Sequence, residues 1–119
     1  MNSFNLDKAF DSFSEYWSPR VAAELNGQHV RLAKLKGEFV WHAHDDADEM
    51  FLVHRGTMVL EFRDRRITLG PGDVCVVPRG VEHRPVADAE CCVVLFEPAD
   101  VVNTGNIQNE RTVRNLASL

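Results

Sequence analysis

The chain opens with apolar residues at helical spacing: Leu6, Ala9, Phe10 and Phe13 fall at i, i+3, i+4 and i+7. Asn5 stands where an N-cap belongs, and Asp7 suits the positive end of the helix dipole. Pro19 disfavours helical geometry at Ser18, so a short helical segment is predicted within residues 1–19. An amphipathic helix of this length must lie against something apolar, most simply the outside of a sheet.

From Val21 onward the pattern changes to short strands with turn signals between them. Strands are predicted at 21–25 and 29–36 around Asn26-Gly27, with Gly37 as a break, then at 39–44 and, past an acidic turn, at 49–55 up to Gly56. Further strands are predicted at 57–62, 66–69, 73–77, 83–86 and 91–97, punctuated by Gly70-Pro71-Gly72 and Pro78-Arg79-Gly80. A series of this kind indicates an all-β sandwich or barrel. Residues 1–119 are read as one domain: a helical segment (1–19), a barrel (20–98) and a polar tail (99–119).

Composition narrows the function classes. With 45% hydrophobic and 26% charged residues the chain is neither disordered nor fibrous. Thirteen Lys+Arg against eighteen Asp+Glu give a formal charge of −5, and the basic residues are scattered, so no nucleic-acid partner is expected. The longest apolar run, Cys91 to Phe96, is far short of the roughly 20 residues that span a bilayer, so no membrane association is expected. The start of the chain carries no basic stretch ahead of an apolar one, and a cytoplasmic protein is the default. Of the three cysteines, Cys91 and Cys92 are adjacent and would point to opposite faces of a strand. All three, Cys75 included, read as buried free thiols.

His42 and His44 are two apart, so on a strand both imidazoles leave the same face. Glu49 follows beyond the acidic turn, on a strand able to fold back beside the first, and His83 arrives after a Pro-x-Gly turn. Three imidazoles and one carboxylate suit one divalent transition metal per chain, with Mn, Fe, Ni and Zn all compatible. The strand carrying the two histidines is otherwise apolar, which argues against ordinary surface histidines.

Two longer patterns contain these residues. The stretch GEFVWHAHDDADEMFLVHRG, from Gly37 to Gly56, resembles the first cupin motif: His-x-His, four residues, Glu, six residues, Gly. GDVCVVPRGVEH, from Gly72 to His83, resembles the second: Gly, five residues, Pro-x-Gly, two residues, His. Two departures are visible: four residues rather than five separate Gly37 from His42, and Ala87 stands where the family often has Asn. The resemblance covers roughly residues 29–98 and implies a small antiparallel jelly-roll barrel with His42, His44, Glu49 and His83 as metal ligands inside it.

Strand parity then places Val40, Phe51 and Val53 on the ligand face, giving a part-apolar, small-molecule pocket. The opposite parity holds Trp41, Met50, Leu52 and His54, a large apolar row that must be covered by a sheet, the N-terminal helix or a second subunit; a homodimer is expected on that basis. His54 on that face reads as structural. Arg79 and Arg84 are weak candidates for meeting an anionic substrate, and no hydrolytic elbow motif is present. The function expected is that of a metal-dependent enzyme on a small oxygen-bearing molecule, with dioxygenase-like or sugar-isomerase-like chemistry. The alternative is a non-catalytic, metal-dependent ligand-binding or sensor barrel, and no residue is assigned a catalytic role.

Overall fold

In the computed structural model, which describes residues 3–119, the strands close into a jelly-roll barrel with one short helix outside it. Helix α1 (Leu6–Asp11) begins at Asn5, whose side chain accepts from the Lys8 amide at 3.1 Å, as the capping pattern requires. It is shorter than the apolar spacing implied. Past Ser12 the backbone turns to the sheet instead: the Trp17 amide donates to the Lys34 carbonyl at 2.9 Å. The first two residues of the expected helical segment lie outside the described residues. No described helix is long and apolar enough to cross a membrane.

Strands β1 (Arg20–Leu25) and β2 (Gln28–Glu38) form the expected hairpin. Gly37 does not break β2; a register shift between Leu35 and Gly37 lets it continue. Strands β3 (Glu49–Arg55), β4 (Met58–Phe62), β5 (Arg66–Leu69) and β6 (Val74–Val77) follow. The two segments expected at 83–86 and 91–97 are one strand, β7 (His83–Pro98), and a short β8 (Ala117–Ser118) pairs parallel with β1. The exposed run Asp88, Ala89, Glu90 has the polarity of a turn but lies where β7 changes partners. Its first part pairs with β4 and its second with β3, while β2 runs antiparallel to most of its length.

The segment 39–44 also departs from the strand predicted there. It is not a strand of the sheet; it meets β7 where the Phe39 amide donates to the Pro85 carbonyl at 2.9 Å and at an antiparallel bridge, His42 to His83.

Alternation along β2, β3 and β7 sorts the apolar side chains into two clusters. Ala33, Leu35, Phe51, Val53, Val93 and Leu95 point into the barrel core. Phe10, Phe13, Leu32, Cys92 and Val94 form a second cluster on the outer face, under the N-terminal segment. Leu52 packs against this second cluster, and Phe10 stacks on His54 with ring centroids 5.5 Å apart. His54 Nε2 also meets Asp7 Oδ1 at 2.7 Å. Trp41 lies under Arg63, whose guanidinium is 3.8 Å from the ring centroid, with Arg84 at 5.5 Å. Much of the apolar row from which a homodimer was expected is therefore covered within the chain. The valines left exposed are Val74 and Val76 on β6.

Candidate metal centre

Four donors converge inside the barrel. One ligand atom from each of His42, His44, Glu49 and His83 lies within 4.8 Å of the others, and all four residues are buried. Glu49 opens β3 and His83 opens β7, so the sheet register places them; His42 and His44 come from the irregular segment beside it. Glu49 Oε1 stands 3.3 Å from His44 Nε2 and 3.4 Å from His83 Nε2.

The hydrogen bonds around the rings fix which nitrogen faces the centre. Nδ1 of His42 and Nδ1 of His83 each lie 2.9 Å from a backbone carbonyl, of Val40 and Val81 respectively. A ring nitrogen against a carbonyl must donate, so in the neutral imidazole Nε2 carries the inward lone pair. His44 Nε2, His83 Nε2 and Glu49 Oε1 are buried with no hydrogen-bond partner among the described residues. Buried polar atoms without partners are costly, and a cation accepting all of them removes that cost. The donor set therefore fits a divalent transition metal.

Electrostatics point the same way. Burial, and after it the neighbouring His83, lowers the His42 imidazole to about 4, leaving it neutral as a ligand must be. Burial alone would push the Glu49 carboxyl up, but the neighbouring Glu97, His44 and His83 side chains outweigh it and hold Glu49 well below the usual range. Glu97 moves the opposite way. Burial and then the facing Glu49 carboxylate push its carboxyl well above the usual range, against the pull of Arg31.

Glu97 is a buried carboxyl of the cavity that the sequence did not single out. It is 1% exposed, paired to the equally buried Arg31, and its Oε2 has no partner. Its signal was an inward position shared with Val93 and Leu95. That parity was hidden because Cys91 to Leu95 is buried on both faces.

A half-open cavity of about 40 Å³, room for roughly three waters, reaches His42, Glu49 and Glu97. Its other walls are largely apolar and include Trp17, Phe39, Phe51, Pro85 and Leu95, with Asn103 contributed by the tail. Of the three lining residues expected, Phe51 is there. Val53 sits in the core and Val40 packs against it, and neither lines the cavity. The irregular path of 39–44 puts Phe39 on the wall in place of Val40. A wider opening of about 330 Å³ meets His44 from outside, between Asp45, Asp46 and Asp100. Among the described residues, no Lys or Arg lines either space. Arg79 pairs with Asp48, and Arg84 with Glu38 and Glu61.

Residues 28–97 match the family model described as Cupin domain. The chain belongs to the cupin family. It is 48% identical to a cupin-2 domain containing protein from Shewanella frigidimarina NCIMB 400, with a TM-score of 0.79 over 80% of this chain and 93% of that one. It is 40% identical over 63 residues to the uncharacterized protein YdbB of Bacillus subtilis (strain 168), a match to 52% of this chain and 56% of the relative. The chain thus spans little more than half of that relative's length. Hydroquinone 1,2-dioxygenase from Sphingomonas sp. TTNP3 shares the fold at 18% identity, with a TM-score of 0.70 over 80% of this chain and 31% of that one.

Proposed function

We propose that this cupin is a metal-dependent enzyme acting on a small, uncharged, oxygen-bearing molecule. The observation that carries the reading is the half-open apolar cavity, which ends on His42 and Glu49 beside a second buried carboxylate, Glu97. A purely structural centre needs neither the opening nor the second carboxylate. A bound divalent metal would supply Lewis-acid polarisation of a ligand oxygen.

The chain's own residues do the rest. Trp17, Phe39, Phe51 and Leu95 exclude water and favour a ligand with an apolar body. Glu97 lines the cavity beside the ligand position, and a buried carboxyl raised by burial and by the facing Glu49 is suited to exchange a proton there. That role serves both isomerase-like proton transfer and deprotonation of a diol or enol in dioxygenase-like chemistry. The acidic opening and the lack of lining cations disfavour carboxylate and phosphate substrates, and with them sugar phosphates.

The test uses Mn(II)-loaded protein and water-proton relaxation while hydroxyacetone or catechol is titrated in. Exchangeable water should be displaced by these neutral chelators, and Phe51→Asp should weaken that uptake while keeping the metal. Relaxation no greater than that of a fully enclosed ion contradicts the enzyme reading. Uptake that leaves every ligand unchanged under O2 supports a non-catalytic sensor or store instead.

A further inference from the structure

The tail lies beyond the residues that match the cupin domain, yet it reaches the ligand-bearing segment. At the two histidines the backbone partners can be traced. His42 exchanges both its hydrogen bonds with His83, at 3.0 and 2.9 Å, and the His44 carbonyl accepts from the Gly80 amide at 2.8 Å. Ala43, between the two histidines, turns the other way. Its amide donates to Asn106 Oδ1 at 2.9 Å, and its carbonyl accepts from the Asn106 amide at 3.0 Å. One asparagine therefore closes both hydrogen bonds of the residue joining two ligands, as a partner strand would.

Gly105 brings the tail close enough to do this. A Cβ there would stand 2.2 Å from the Ala43 carbonyl oxygen and 3.2 Å from the His42 ring, and its φ is +56°. The tail is anchored upstream by Arg31, which donates to the carbonyls of Ala99 and Val101 at 3.0 and 2.7 Å while holding Glu97.

We infer that Asn106, seated by Gly105, is a positioning residue of the metal centre: it fixes the Ala43 peptide and through it the directions of the His42 and His44 rings. The inference rests on the proposed metal site, and its experiment separates the two. Outer residues that orient metal ligands typically contribute about 10–100-fold to affinity. Co(II) is titrated into the apo-protein, and its visible absorption reports both affinity and ligand geometry. Asn106→Ala should bind Co(II) at least about tenfold more weakly with an altered band, while Asn106→Asp, which keeps the acceptor for the Ala43 amide, should recover most of the affinity. Gly105→Ala should weaken binding further. Circular dichroism of each apo variant separates loss of the site from loss of the fold: a native spectrum with weak binding supports the inference. Parent-like affinity and band in both Asn106→Ala and Gly105→Ala overturn it and leave the metal site standing. A parent that takes up no Co(II) overturns both.

Discussion

Glu49 and His83 open strands β3 and β7, where Glu49 pairs with Val77 and His83 with Phe62, whereas His42 and His44 ride a segment outside the strands that meets β7 at the Phe39–Pro85 hydrogen bond and the His42–His83 bridge. The first pair inherits its geometry from the strand ladders, and the second from that bridge, the turn at Gly80 and the tail. The family's barrel match ends before the residues that complete the second pair. Strand ladders can thus carry half of a site while packing outside the ladders carries the other half, and the two halves should fail differently when perturbed.

The largest expected effect strikes the strand-held half. Gly56 ends β3 at a φ of +82°, and a Cβ there would lie 2.5 Å from the Glu90 carbonyl oxygen and 3.0 Å from Cys91 Cα. Backbone on β7 cannot move aside cheaply, so Gly56→Ala should cost about 3 kcal/mol of stability in urea unfolding. Metal affinity should fall only in step with the folded fraction. A folded Gly56→Ala of parental stability that has lost its metal would reverse the assignment of roles.

A smaller effect belongs to the segment-held half and depends on pH. His42 is neutral in the fold because burial lowers it from 6.5 to about 4. The unfolded chain therefore binds a proton that the native apo-protein refuses. Stability from this residue is present above pH 6.5 and is lost as pH falls toward 4, about 2 kcal/mol by pH 5. Apo-protein unfolding at pH 8 and pH 5 should show that decline, and His42→Gln should flatten it. An equal decline in the variant would mean that another group carries it.

What the sequence made legible follows the same division. The bounds of β3 and β5 agree with the alternation and turn signals, and Asn5 caps α1 as its position implied. All four ligand candidates were visible because motif spacing does not depend on how the backbone between them is hydrogen-bonded. The irregular path of 39–44 was not visible, since the partners of Ala43 lie more than sixty residues away in the tail. The unity of β7 was masked by a polar run that sits where one strand exchanges neighbours. Glu97 was hidden by the doubly buried run before it: Cys91 faces the core while Cys92 lies under α1, so alternation leaves no trace.

The central claim, that one metal is held jointly by both halves, is tested most directly by stoichiometry. Elemental analysis of protein purified without an affinity tag should give about one divalent transition metal per folded chain, and close to none for the folded His42→Ala/His44→Ala double variant. Equal metal content in parent and variant would contradict the account.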